Sequence, residues 1–330
     1  MKKSFMTLIT LCALNSPLGA KPECHSHKFP NPGTLMTTDI KNLIPSNPFV
    51  IEAAKVDEIL QISGLSLQEF MQLLIPVAQE FSHPEISNYK VGAVALGKSG
   101  NIYLGVNLEF KEHPLNQCVH GEQFLVANVK NAGETGLVAL ALSAAPCGHC
   151  RQFLNEIDHG LALQIFIPNR PPMQLSELLP ESFGPKDLGF RGGLLSTLPL
   201  LPADHSCTFI AKALEAAQQS YAPYSNSQSG VAIKTHDGKI YSGSYLETVA
   251  FNPSLSPLQT ALVSLLVDQK GYQDISEVVL VEGLNPMISQ ASVTEQLLKS
   301  IAPNAQFNLE KIDLPKRQWF IEKCGNTSIN

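Results

Sequence analysis

The chain predicts a layered α/β fold in which one strand-and-helix module occurs twice. Helical and strand-like runs alternate between residues 53 and 157, a pattern of glycines recurs at a fixed offset, and the composition supports a large core. The 330 residues suffice for two domains at roughly 100–200 residues each. Hydrophobic residues make up 44% and charged residues 16%, against about 25% charged in an average globular chain. That excludes a disordered chain, and so little charge points to an interface that removes further surface from water. Twenty-three basic residues stand against 29 acidic ones, a net charge of −6, which offers no general attraction for nucleic acid. No apolar run reaches the roughly 18 residues of a membrane-spanning helix.

The elements follow in order. Lys2 and Lys3 precede a short apolar run at 5–14 and then Ala20, which resembles a secretory signal peptide. Leu18 spoils its cleavage site, and Met36 is the alternative start. From Ala53 a helical pattern begins, with Val56, Ile59, Leu60, Leu65, Phe70, Leu73, Leu74 and Val77 mostly three or four apart. Strand-like runs at 91–97 and 102–108 flank Ser99-Gly100, a hairpin turn. A helix follows at 122–130, a buried strand at 137–144 and a helix at 148–157. Strand and helix in alternation make the layered reading. Residues 168–204 carry seven prolines and no long periodic run, so they read as a connector.

Beyond the connector the pattern returns. At an offset of 138, Gly92, Gly100, Tyr103, Gly105 and Glu109 meet Gly230, Gly238, Tyr241, Gly243 and Glu247, which points to duplication. The copies diverge where chemistry would sit. The first continues with Cys118-Val119-His120-Gly121-Glu122 and Pro146-Cys147-Gly148-His149-Cys150; the second has Ser256-Pro257-Leu258-Gln259 and no His or Cys in the later stretch. The second copy is a degenerate one.

Seven cysteines suit no disulfide framework. His120, Cys147 and Cys150 form a ligand set that Zn²⁺ prefers, with a fourth position left for water. The C-x-x-C pair sits at a predicted helix start, where N–H groups and dipole favour thiolates. Glu122 is two residues from His120, within reach of that water without being a ligand, and suits general acid–base work. His-x-Glu followed by Pro-Cys-x-x-Cys is the signature of zinc nucleobase deaminases. The rival readings are a redox cysteine pair and a structural zinc site, for which an acid–base carboxylate has no use.

With these motifs, Asn107-Leu108-Glu109-Phe110, Cys150-Arg151-Gln152-Phe153 and Phe183-Gly184-Pro185-Lys186-Asp187, the chain resembles a two-domain, homodimeric cytidine deaminase over roughly residues 55–325. The resemblance implies a three-layer cytidine-deaminase-like fold, with a mixed sheet between helices, duplicated within the chain. It implies deamination of cytidine and 2′-deoxycytidine in pyrimidine salvage, with Zn²⁺ as cofactor and no nucleic-acid or membrane partner. It assigns Asn107 and Glu109 to the ribose and Tyr89 to stacking on the pyrimidine. Gly121, where the family usually has alanine, contacts the base through its backbone, and glycine is expected to loosen that contact. A partner subunit completes each site, and Phe183 is the expected lid over the pyrimidine.

Residue by residue, His149 reads as a supporting histidine, Cys118 as a buried small apolar side chain, and Arg151 as a donor to a ligand sulfur. Retention of Glu109 as Glu247 in the siteless copy raises a purely structural reading for it. The domain plan is a leader or tail at 1–35, a helical lead-in at 36–80, a zinc-binding catalytic domain at 81–167, a connector at 168–204 and a degenerate domain at 205–330. The expected location is cytoplasmic, or exported if residues 1–20 are a genuine signal. Another zinc deaminase, acting on a nucleotide, a drug-like nucleoside or a base in RNA, is the enzymatic rival; a phosphate-bearing substrate would require clustered basic residues, whereas Lys90, Lys111, Arg151 and Lys186 are scattered.

Overall fold

The computed structural model describes residues 40–196, 208–315 and 319. The leader, Met36 and Cys12, Cys24, Cys207 and Cys324 lie outside the described residues. Strand β1 (Val50–Ile51) leads into helices α1 (Ala53–Ser63) and α2 (Leu67–Gln79). The helical pattern breaks because Gly64 caps α1 with φ at 67°, its N–H donating to the Leu60 carbonyl. Ser66 then opens α2 in a capping box with Glu69. Next come β2 (Gly92–Gly97), β3 (Ile102–Val106), α3 (Gly121–Asn131), β4 (Leu137–Leu142), α4 (Gly148–Leu154) and β5 (Gln164–Phe166). The connector holds β6 (Met173–Gln174), α5 (Leu175–Leu178) and a 3₁₀ turn at Pro185–Leu188. Elements this short leave no period in a sequence. The second copy supplies α6 (Phe209–Gln218), β7 (Ser229–Thr235), β8 (Ile240–Ser244), α7 (Pro257–Val267), β9 (Ile275–Gly283), α8 (Ala291–Ile301) and β10 (Gln306–Ile312).

Two mixed sheets result, with strand orders β1-β3-β2-β4-β5-β6 and β10-β9-β7-β8. Their shared centre repeats faithfully: β2 is antiparallel to β3 and β4, as β7 is to β8 and β9. Parallel pairs β4–β5 and β9–β10 extend them. The glycines locate the layers. A Cβ on Gly92 would strike the Ile75 carbonyl of α2, whereas one on Gly105 would strike the Gly121 carbonyl and Leu125 of α3. Gly105 pairs with Ala93, the neighbour of Gly92, and successive residues face opposite sides of a sheet. Helices α2 and α3 therefore cover opposite faces, as the three-layer expectation requires.

The offset of 138 holds through the strands and falls to 136 in the following helices, because the link between Leu108 and Val119 is two residues longer than that between Leu246 and Leu255. His120 thus corresponds to Ser256, and both cap their helices. Helices α3 and α7 pack together, and one hydrophobic core runs through both copies, from Phe49 and Phe124 to Leu258 and Leu265. Glu156 adds a polar tie: wholly buried just after α4, its carboxylate accepts from the Tyr221 and Tyr224 hydroxyls and from the Val249 N–H. Among the described residues, no helix is long and apolar enough to cross a membrane.

Candidate active site

His120 and Cys147 stand at the N-caps of α3 and α4, and Cys150 lies in the first turn of α4. Three residues separated by up to 30 positions therefore meet where two helix starts converge. Cys147 Sγ and Cys150 Sγ are 3.5 Å and 3.4 Å from His120 Nδ1, and 3.5 Å from each other. A tetrahedral zinc, with bonds of about 2.3 Å to sulfur and 2.0–2.1 Å to nitrogen, separates such donors by about 3.6–3.8 Å. The triangle fits the ion with almost no movement. Hydrogen bonds from Cys150 and His120 hold the Cys147 thiol down at about 3, the direction a metal-binding thiolate needs. Cys150 is pushed up by its bond to Cys147 and by burial, and its Sγ lies 3.1 Å from Glu122 Oε2. Burial raises the Glu122 carboxyl, which favours a protonated, donating form.

The surroundings of the triangle correct two expectations. Arg151 makes no bond to a ligand sulfur. Its Nε donates to the Pro146 carbonyl at 2.8 Å and its Nη1 to Leu178 at 2.7 Å, so it fixes the approach to Cys147 and anchors α5. Cys118 is half-buried rather than core, and lines the cavity. His149 stands outside the donor triangle, and its ring stacks on His120 at 4.7 Å and 22°.

A cavity of about 390 Å³ opens on this floor, within the size range of small-molecule sites. His120, Gly121, Glu122, Asn107, Glu109 and Tyr89 all line it. Tyr89 is 57% exposed, so its ring is not part of the core. Asn107 is committed to the wall: its Oδ1 accepts from the Val91 N–H, and its Nδ2 donates to the Tyr89 carbonyl and to Glu109. Glu109 accepts from Ile86 N, Ser87 N and the Ser87 hydroxyl. Glu247 makes the same set with Tyr224 and Ser225, so pinning this turn is common to both copies; only Glu109 also faces a cavity beside metal donors. Gly121 is buried, and its missing Cβ is matched by Val91 Cγ1, 2.6 Å from where that atom would be. A valine methyl therefore fills the space that an alanine at this position would need. Phe183 does not line this cavity; it is 49% exposed, with its carbonyl held by Gln152 and Asn155 of the α4 segment.

Sequence reasoning passed over Val91, Gln123 and Gln259. The glutamines carried a readable signal, the third position of matching helix starts in the two copies. Val91 carried none, because its role depends on a neighbour brought in by the fold.

Helix starts gathering two thiols and an imidazole, with a buried carboxyl beside them that is no ligand, define a zinc-dependent hydrolytic deaminase. The family model of the cytidine and deoxycytidylate deaminase zinc-binding region matches residues 65–162 and, in a second form, residues 175–295. Cytidine deaminases of Yersinia pestis (strain Pestoides F) and Yersinia pseudotuberculosis serotype IB (strain PB1/+) are each 44% identical over 264 residues, spanning 78% of this chain and 88% of their own. A solved cytidine deaminase from Mycobacterium tuberculosis matches 36% of this chain and 99% of its own, at 31% identity and a TM-score of 0.33. The chain belongs to the cytidine deaminase family, and its cofactor is zinc. The second match begins inside the segment read as a connector, and covers a copy with Ser256 and Gln290 at the helix caps where the first has His120 and Cys147.

Proposed function

We propose that the chain deaminates cytidine and 2′-deoxycytidine hydrolytically in pyrimidine salvage. The C4–N bond breaks, a C4–O bond forms, and ammonia leaves as uridine or 2′-deoxyuridine is made. Buried, non-ligating Glu122 beside the His120, Cys147 and Cys150 donors is the observation that carries the reading. A zinc ion held by those three supplies the capacity to ionise water near neutral pH. Glu122 takes a proton from the attacking water and passes it to N3 of the ring, then takes the proton of the new C4 hydroxyl and passes it to the departing amino group, so one carboxyl serves both transfers. Tyr89 stacks on the pyrimidine, the Gly121 backbone contacts the base, and Asn107 and Glu109 hold the ribose.

A nucleoside fits better than a nucleotide, since no Lys or Arg is among the described residues lining the cavity. The protein acts as a homodimer in which Phe183 of one subunit closes over the other's cavity; its exposure, away from its own cavity, supports this. Thiolate ligands suit the reducing cytoplasm, and the working domain plan remains 36–80, 81–167, 168–204 and 205–330.

The test follows ultraviolet absorbance as zinc-loaded protein is mixed with cytidine, deoxycytidine and their monophosphates, alongside sedimentation. Turnover of nucleosides by a dimer is expected, with Phe183→Ala raising KM or lowering kcat in a folded, zinc-loaded dimer. Turnover of monophosphates alone overturns the substrate class, and a fully active monomer overturns the shared lid.

A further inference from the structure

We infer that the second copy is retained because two of its groups brace the segment that carries His120, Gly121 and Glu122. Gln123 is 2% exposed and Gln259 is 4% exposed; each is an amide bridging the two copies. The Gln123 Oε1 accepts from the His120 N–H at 3.0 Å, and its Nε2 donates to the Pro253 carbonyl of the second copy at 2.8 Å. Gln259 does the reverse: its Oε1 accepts from the Ser256 N–H at 2.7 Å, and its Nε2 donates to the Gln117 carbonyl of the first copy at 2.7 Å. Gln117 and Pro253 correspond at the same offset of 136 as His120 and Ser256. The contact between copies is therefore reciprocal, one glutamine reaching each way.

Only the first copy makes chemical use of the bracket. Between its ends, Gln117 and Gln123, lie Cys118 and Val119 of the cavity wall, the metal donor His120, Gly121 and Glu122. Both glutamines are buried, and each bond replaces one that water would otherwise compete for, so the amide plane fixes its two partners together. Such a bracket holds the His120 backbone while leaving the imidazole free to meet the thiols. Gln123 and Gln259 are positioning residues, acting through backbone groups rather than touching a substrate. This rests on the zinc-site reading above.

Gln259→Glu tests it at a pH where the carboxyl is ionised, and a Tm measurement reports what burying the charge costs. An ionised carboxylate at that position still accepts from Ser256 N–H and keeps the helix cap as a Ser-x-x-Glu box, but it has no hydrogen for the Gln117 carbonyl. Gln259→Met removes both bonds. In zinc-loaded full-length protein, two quantities are read: hydrogen exchange over residues 115–123 and the rate of zinc release to excess chelator. Both variants are expected to release zinc roughly 10–100-fold faster, the usual effect of losing an outer support of a metal ligand, with faster exchange across the segment. Leu297→Ala, a core truncation in α8, controls for general weakening: it lowers Tm but leaves both rates unchanged. Wild-type rates in both Gln259 variants, or equal changes in Leu297→Ala, overturn the bracket. A wild-type protein that takes up no zinc instead refutes the zinc-site reading, and hydrogen exchange alone then decides the bracket.

Discussion

Gly121→Ala puts the family's usual residue into this chain, and the geometry expects it to do harm. The new Cβ would lie 2.6 Å from Val91 Cγ1 and 3.5 Å from Val91 Cβ, whereas carbons rest about 3.5–4.0 Å apart. An overlap of about 1 Å must be relieved. Val91 cannot simply retreat, because its N–H donates to Asn107 Oδ1, and a β-branched side chain has few rotamers to spare. It must turn toward the cavity, which it and Gly121 both line. Overpacking of this kind costs about 1–3 kcal/mol, at about 2–4 °C of Tm per kcal/mol in a chain of this order of size. The assay is thermal unfolding with kcat/KM for cytidine, on Gly121→Ala, Val91→Ala and the double variant. The double variant should be at least about 1 kcal/mol less damaged than the sum of the singles, since the smaller residue 91 removes the clash. Additivity within about 0.5 kcal/mol, or a Gly121→Ala protein indistinguishable from wild type, refutes the argument.

Glu122→Gln should keep its zinc by elemental analysis while kcat falls about 10²–10⁴-fold, the usual worth of general acid–base catalysis; near-normal turnover removes Glu122 from the chemistry. Arg151→Ala should free the Pro146 and Leu178 carbonyls, lowering Tm and hastening zinc loss with the pH–rate profile unmoved. A shifted profile would restore the sulfur contact that the structure lacks. Burial raises the Glu156 carboxyl above its ordinary 4.5, so the folded state binds more protons than the unfolded one as pH climbs from there. Its contribution is full below the unfolded value and is lost as pH rises through the folded one. The Tm of wild type relative to Glu156→Gln should therefore fall with rising pH above about 4.5, and a constant difference contradicts the sign.

Much of the fold and most of the site could be read from the chain, for identifiable reasons. Strand alternation, the Ser99-Gly100 turn and the glycine repeat are local patterns, set by backbone sterics within a few residues. The metal donors were legible because their spacing is chemical: a C-x-x-C on one helix turn and a histidine at another helix start need no knowledge of the path between. The Ser66-to-Glu69 capping box is just as local, yet the apolar period reads straight across it as one helical run. What escaped was whatever depends on the distance between remote segments. The destination of the Arg151 guanidinium, the Val91 methyl beside Gly121, the burial of Glu156 against Tyr221 and Tyr224, and the paired glutamines are all contacts across loops whose course no local pattern encodes. By itself the sequence determined the duplicated α/β module and singled out the residues proposed to hold and use zinc, since those follow from period and side-chain chemistry. Only the tertiary structure decided what steadies them, because packing and hydrogen bonding between the two copies depend on positions in space rather than along the chain.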